Sequence, residues 1–390
     1  MAYLDHAATT PVRPAASAAW HSAPFGNAAS VHGAGRAARR VLEEARESVA
    51  ESLGVSAAEV VFTPGGTAAD NLAITGIHRA RRLADPARDV VVISTVEHPA
   101  VTATADALVA RGEAARVVRL PVTAQGFVDL VAAEGCLEAH ADRVSLLSVM
   151  SANNEVGAVQ PVAELAALAT GRGVPLHTDA AQSAGWWGLP GAPGAAATIS
   201  GHKFGAPVGI GALVLPSRMP CEPWQHGGGQ ERQLQSGTVP VGSALALAKA
   251  LAEALGSGEA SGEPGVTVEE LRDELVLAVQ AAAPTARLVT PPPAADRPTA
   301  LPGIAAFVFP GCPADALLML LDAAGVYCST GSACSAGIPR PSAVLTAMGD
   351  PDAGSMLRFS LGWTSTRADL GALAAALPSA VDRARRAGRL

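Results

Sequence analysis

The strongest constraint on this chain is an alternation. Short apolar runs at Val90–Ser94, Val144–Met150, Val174–His177 and Ala196–Ser200 are separated by longer Ala- and Leu-rich stretches of helical period, such as Val101–Arg111 and Val162–Arg172. Runs of four to eight apolar residues read as buried strands. Strand–helix–strand alternation predicts a mainly parallel sheet with helices on both faces. A fifth run, Gly209–Leu215, extends the pattern, whereas Ile304–Phe309 and Met356–Leu361 belong to a later region. A Gly-, Ser- and Glu-rich stretch, Gly256–Gly265, places a boundary between the two regions. The Pro- and Ala-rich stretch Thr290–Gly303 reads as a surface loop inside the second. No internal repeat of solenoid period is present.

Composition narrows the function classes. The 390 residues carry a net charge of −7 and no basic stripe, so nucleic acid is not expected as a direct ligand. The Arg-dense stretch Arg36–Arg46 also holds Glu43 and Glu44 and reads as a solvated helix face. The opening MAYLDHAATT has no signal-peptide pattern, and no uninterrupted apolar stretch is long enough to span a membrane. Five cysteines without a close CxxC pair argue against a disulfide framework or a zinc knuckle and predict a reducing cytoplasm.

Among 28 basic residues only two are lysines, Lys203 and Lys249, so chemistry that needs a lysine amine must use one of them. Lys249 lies in the helical run Ala244–Leu255, where it is expected to snorkel outward. Lys203 lies in Ser-Gly-His-Lys-Phe-Gly, directly after a strand. In a doubly wound sheet, ligands sit beyond the carboxyl ends of the strands. A lysine facing such a cleft can lose solvation and form a Schiff base.

Other strands deliver unusual residues at the same edge. Glu97-His98 follows the first run, Asn153-Asn154-Glu155 the second, Asp179 and Gln182 the third, and Ser200 and His202 the fourth. Asp179 suits the partner of a protonated ring nitrogen; its plain alternative is a helix cap. His98 could stack on a planar ring and move protons, or be a satisfied structural histidine. Thr63-Pro-Gly-Gly-Thr67 opens the helical stretch Ala68–Ile77, and its free N–H groups at Gly66 and Thr67 suit a phosphate. Cys334 lies in a run of glycine and small polar residues, Ser329–Gly337, and is available as a nucleophile. Cys136, Cys221 and Cys312 read as incidental, and Cys328 as partly buried. Arg358 could hold a carboxylate through two parallel hydrogen bonds or make an ordinary ion pair.

Longer motifs then carry a resemblance. They are Tyr3-Leu-Asp-His-Ala-Ala-Thr-Thr-Pro11, Gly26-Asn27-Ala-Ala-Ser30-Val-His32, Asp70-Asn71-Leu-Ala, Glu97-His98-Pro99 and Asn153-Asn-Glu-Val-Gly157. Thr178-Asp-Ala-Ala-Gln182, Ser200-Gly-His-Lys203, His226-Gly-Gly-Gly-Gln-Glu-Arg232, Ser236-Gly-Thr238, Gly331-Ser-Ala-Cys334 and Arg358-Phe-Ser-Leu-Gly362 follow. In order and spacing the chain resembles the cysteine desulfurases of the NifS/IscS type, in the class V aminotransferase family of fold-type-I pyridoxal-phosphate enzymes. The resemblance implies a large domain (residues 16–255) with a mainly parallel seven-stranded sheet between helices. It implies a smaller α+β C-terminal domain (256–390), joined by the N-terminal segment 1–15 and carrying a catalytic cysteine loop at 326–342.

The resemblance also implies roles. Lys203 would hold pyridoxal 5′-phosphate, Asp179 would pair with its ring nitrogen and Gln182 with its ring hydroxyl, and His98 would stack on the ring. Gly66, Thr67, Ser200 and His202 would hold the phosphate, and Thr238 would reach the phosphate of a neighbouring subunit, making the protein a homodimer. Asn154 and Arg358, with Asn27, would bind the substrate L-cysteine, and Asn154 would also border the cofactor. Cys334 would take the sulfur as a persulfide, release alanine, and pass the sulfur to an acceptor protein. The segment from Cys334 to Pro341 has the length of the longer-loop group, which hands sulfur directly to partner proteins. Two stretches depart from the family pattern: Pro64-Gly-Gly-Thr-Ala-Ala replaces the usual Ser-Gly-Ala-Thr-Glu-Ser, and Phe-Gly-Ala-Pro-Val-Gly follows the lysine. A selenocysteine lyase, an aminotransferase, an epimerase and a silent scaffold are the rival readings; the middle two have no need of Cys334. The acceptor pathway (iron–sulfur assembly, tRNA thiolation, DNA phosphorothioation or biosynthetic sulfur transfer) stays open, as does transient ligation of a cluster by Cys334. No resident metal is expected.

Overall fold

The computed structural model describes residues 1–140, 142–257, 260–294, 297–331 and 341–388. Twelve strands are found among the described residues: β1 (Ala2–Tyr3), β2 (Val60–Thr63), β3 (Val90–Ser94), β4 (Arg116–Leu120), β5 (Val144–Ser148), β6 (Leu176–Asp179), β7 (Ala196–Ser200), β8 (Gly211–Val214), β9 (Arg287–Leu288), β10 (Ile304–Val308), β11 (Val326–Tyr327) and β12 (Met356–Ser360). The helices are α1 (Pro14–Ser22), α2 (Gly33–Leu53), α3 (Gly66–Ala84), α4 (Pro99–Ala110), α5 (Leu130–His140), α6 (Val162–Thr170), α7 (Ala184–Trp187), α8 (Val241–Gly256), α9 (Val268–Ala282), α10 (Ala314–Ala323), α11 (Ala343–Ala347) and α12 (Arg367–Ala387).

Seven strands form the central sheet in the order β2-β8-β7-β6-β5-β3-β4. The pairs from β7 through β4 are parallel, and β8 runs against both of its neighbours. Every residue of β3, β5 and β7 is buried, as a parallel sheet covered on both faces requires. Side chains alternate faces with period two. Val91 and Ile93 pack with Leu72 and Ile77 of α3 and Val101 of α4. Val90 and Val92 pack on the other face, with Leu137 of α5 and Leu165 of α6. Near the opposite edge, Phe62, Ile199 and Ala212 meet Leu42 and Val49 of α2 and Leu247 and Leu251 of α8. Strand β4 was not legible as an apolar run: only Leu120 is buried, and Arg116 and Arg119 are exposed. Charged flanks are how an edge strand avoids pairing with another chain.

The later region holds a three-stranded antiparallel sheet, β12-β10-β9, and a two-stranded parallel one, β1-β11. Ala2 and Leu4 are fully buried in its core with Leu271 and Leu275 of α9, Leu317 and Leu321 of α10, and Leu373 of α12. Leu4 N–H donates to Tyr327 O at 2.8 Å, and its carbonyl accepts from Ser360 N–H at 2.8 Å. The first residues of the chain are thus stitched to its last third.

The expected surface loop over Thr290–Gly303 is corrected in part. Val159 N–H donates to Thr299 O, Leu301 N–H donates to Gly157 O, and Leu301 is buried with Ala7, Ala152 and Ile304. The apolar side chain of Leu301 ties the stretch down where Pro and Ala content alone suggested a free loop.

Leu4→Ala removes a fully buried side chain from the later core. We expect a loss of about 2–5 kcal/mol in urea unfolding. A loss below about 1 kcal/mol would show that the N-terminal segment is not part of that core.

Candidate active site

Four strand ends converge on one edge of the sheet. After β3 the chain turns through Glu97 into His98, which caps α4: His98 Nδ1 accepts from Ala100 N–H at 3.1 Å. The ring of a neutral His98 then carries its proton on Nε2. Asp179 ends β6, is 7% exposed, and its Oδ1 accepts from Ala181 N–H at 2.9 Å. Both alternatives weighed from the sequence are therefore realised in part, since each residue does cap a turn. In each the cap uses one side-chain atom.

Beside them, β2 leads into α3 through Thr63-Pro64-Gly65-Gly66. Gly65 has φ +133°, a region open to glycine and strained for other residues. A Cβ on Gly66 would stand 3.0 Å from Ser200 Cβ and 3.3 Å from Ser200 Oγ, so the turn and the end of β7 approach as closely as a glycine allows. The N–H groups of Gly66, Thr67 and Ala68 find no acceptor among the described residues, and α3 has no side-chain cap. Three donors, a helix N-terminus and a hydroxyl therefore surround one space.

Lys203 follows β7, and its Nζ donates to Ala7 O at 2.7 Å and Ala8 O at 3.0 Å. Gln182 Nε2 donates to the same Ala7 carbonyl at 3.0 Å. The Ala7 segment is held in turn by His6, whose Nδ1 lies 2.6 Å from Thr10 Oγ1 and whose Nε2 lies 3.2 Å from Thr364 Oγ1. His202 Nδ1 lies 3.2 Å from Thr9 Oγ1. A small cavity of about 50 Å³ behind Lys203 is lined by His6, Gln182, Trp186 and Trp363, among others.

Arg358, on β12, is 2% exposed. Its Nη1 donates to Asn154 O at 2.7 Å and its Nη2 to Asp5 Oδ1 at 2.6 Å, while its buried Nε has no partner among the described residues. Arg358 and Asn154 thus lie together, and their contact uses the Asn154 backbone. Asp5 is a partner the sequence analysis did not assign; its signal was its place in the Tyr3–Pro11 motif. Asn27 does not join this group. It is exposed, its Oδ1 accepts from Ala29 N–H, and it lines a separate cleft of about 650 Å³ with Arg46 and Glu231. Thr238 is likewise exposed. Cys334 lies outside the described residues. Cys328 is buried, more fully than expected, and burial beside Asp5 pushes its thiol up to about 12, far from a thiolate at neutral pH.

The profile of the class-V aminotransferases matches residues 2–373. The chain is 50% identical over 393 residues to an IscS-like cysteine desulfurase of Mycobacterium tuberculosis, covering 99% of this chain and 98% of that one. A solved structure described as a NifS-like protein superposes with a TM-score of 0.86 at 29% identity, over 98% of this chain and 100% of that one. Another, described as SspA in complex with cysteine, gives a TM-score of 0.77 at 29% identity, over 94% and 100%. The chain belongs to the class-V aminotransferase family, among its cysteine desulfurases of the IscS/NifS type. Enzymes of this family work with pyridoxal 5′-phosphate.

The charges and donors present fit that group. A phosphate dianion suits the unpaired N–H groups of α3. Burial pushes His98 down and His202 down to about 4, so both rings are neutral at physiological pH, and the phosphate charge would be met by helix dipole and hydrogen bonds. Asp179 Oδ2 has no hydrogen-bond partner among the described residues, which suits a pyridinium N–H. Beneath it lie two further buried carboxyls that the sequence analysis did not assign. Asp70 of α3 is 2% exposed, with His177 Nε2 at 3.6 Å from its unpaired Oδ1. Glu97 Oε1 accepts from Ser94 Oγ at 2.5 Å and Met150 N–H at 2.9 Å, with Oε2 unpaired among the described residues. Burial raises all three, Glu97 to about 8, with mutual repulsion adding to the rise in Asp70 and Glu97. Asp179 differs from the other two in that the neighbouring Lys203 charge works against the rise.

Because the folded protein holds Glu97 protonated up to about pH 8 and the unfolded chain ionises it near 4.5, its presence lowers stability as pH rises through that window and not above it. Glu97→Gln keeps the shape and removes the titration. In urea unfolding between pH 5 and pH 8, we expect the wild type to lose stability relative to Glu97→Gln at up to about 1.4 kcal/mol per pH unit. Parallel pH curves would contradict this.

Proposed function

We propose that this chain removes sulfur from L-cysteine by the residues gathered around Lys203, and passes it through Cys334 to an acceptor protein. The observation that carries the reading is the placement of Lys203, His98 and Asp179 at one strand edge, close enough to shift one another's charge. The cysteine bound in the SspA structure supports the substrate.

Lys203 anchors pyridoxal 5′-phosphate, which when bound stores the electron pair released from the substrate. Gly66, Thr67, Ser200 and His202 hold the phosphate, Gln182 the ring hydroxyl, and Asp179 keeps the ring nitrogen protonated. His98 covers the ring and moves protons through Nε2. Arg358 takes the substrate carboxylate, while Asp5 and the Asn154 carbonyl fix its plane. The Lys203 amine takes the substrate α-proton, and the Ala7 and Ala8 carbonyls give it a fixed position. The Cys334 thiolate then attacks the substrate sulfur. A sulfur–sulfur bond forms and the carbon–sulfur bond breaks; the electron pair stays on carbon, which is protonated, and alanine leaves. The outer sulfur of the Cys334 persulfide goes to the thiol of an acceptor. The protein works as a homodimer in which Thr238 of one protomer reaches the phosphate of the other, consistent with its exposed position.

The test is sulfide and alanine release from L-cysteine with a thiol reductant. We expect equal amounts from the wild type. Cys334→Ala should still bind cysteine, seen as a change in cofactor absorbance, and should make neither product. A mutant as active as the wild type would remove Cys334 from the reaction.

A further inference from the structure

Away from the Lys203 cleft, three consecutive non-glycine residues have left-handed backbone: Glu231, Arg232 and Gln233, with φ of 46°, 61° and 64°. Such a run persists only where its surroundings hold it. The holding contact is the Glu231 carboxylate, whose side chain is 3% exposed. Its Oε1 accepts from Arg46 Nη2 at 2.7 Å, and its Oε2 accepts both from Arg46 Nη1 and from Phe62 N–H, each at 2.7 Å. Arg46 Nη1 also donates to Val60 O at 2.8 Å, and the guanidinium lies over the Phe62 ring, 4.8 Å from its centroid. Further along, Arg232 Nη1 donates to Ala58 O, and Gly237 N–H donates to Gln230 Oε1 at 3.0 Å.

The two ends of this contact lead to different places. Phe62 lies in β2, one residue before the Thr63-Pro64-Gly65-Gly66 turn that opens α3. Glu231 lies in the arch that runs to Thr238, whose side chain is exposed. A buried ion pair adds little stability compared with apolar residues of the same size, so its use here points to geometry. A loop that merely closed the surface would need neither a run of left-handed residues nor three hydrogen bonds to one carboxylate.

We propose that Arg46 and Glu231 are positioning residues that couple the two cofactor sites of the homodimer. The pair holds the arch so that Thr238 meets the partner's phosphate, and ties that arch through β2 to the phosphate turn of its own protomer. This rests on the reading of Thr238 given above.

The experiment compares release of pyridoxal 5′-phosphate from holoenzyme, followed by cofactor absorbance after transfer into cofactor-free buffer. The proteins are wild type, Thr238→Ala, Glu231→Gln and the double variant. Glu231→Gln keeps the shape but sets an amide N–H against a donor. We expect each single variant to release cofactor roughly tenfold or more faster, as loss of one hydrogen bond to a charged group implies. The double variant should be no faster than the faster single one, because both changes remove the same contact. Multiplied effects in the double variant would overturn the proposal. Wild-type release from Glu231→Gln, with Thr238→Ala accelerated, would overturn the coupling and leave the Thr238 reading intact. Wild-type release from Thr238→Ala would sink that reading, and the coupling with it. Should Glu231→Gln fold poorly, Arg46→Lys, which keeps the charge and loses the two-pronged fork, replaces it in the same comparison.

Discussion

A parallel strand must be followed by a crossover, and every crossover leaves the sheet at the strand's carboxyl end. In this protein that constraint brings the residues after β3, β5, β6 and β7 to one edge. The site then needs a wall on the open side, and the wall is the N-terminal segment. It is fixed to the later region by β1 and the buried Leu4, and it offers the Ala7 and Ala8 carbonyls to Lys203. The first ten residues thus join the sheet that carries the lysine to the sheet that carries Arg358, which Asp5 holds directly. Packing in the later core and position at the reactive amine are two ends of one short segment.

The electrostatics follow from burial. Three carboxyls and two histidines lie in or under a cleft that excludes much of the solvent, and each is driven toward its neutral form. Of the three carboxyls, Asp179 is the one whose rise the neighbouring Lys203 charge opposes. The hydrogen bonds that hold Glu97 and His177 are therefore part of the site although neither residue reaches the cleft edge as Lys203 does.

The sequence made the sheet and the lysine legible for physical reasons. Fully buried strands read as unbroken apolar runs, and two lysines in 390 residues left little choice of amine. What escaped reading lacks such a signal. Strand β4 is half exposed and carries two arginines; β1, β9 and β11 are two residues long. Asp70 and Glu97 carried no assigned role in sequence, and burial sets them apart; Asp5 is half-buried and stands out by its contact with Arg358. The left-handed run at Glu231–Gln233 carries no glycine to announce it, because a buried ion pair from residue 46 supplies what glycine would otherwise provide. Asn27, by contrast, was drawn into the site by its motif, and the fold sets it beside Arg46 and Glu231.

The central claim is that the strand ends converge on the Lys203 amine as the anchor of the cofactor. The most direct measurement is borohydride reduction of the yellow holoenzyme, digestion, and mass spectrometry of the peptides. With two lysines in the chain, the result is unambiguous. The account requires the pyridoxyl phosphate mass on the peptide containing Lys203. The same mass on the peptide containing Lys249, or no bound mass at all, would contradict it.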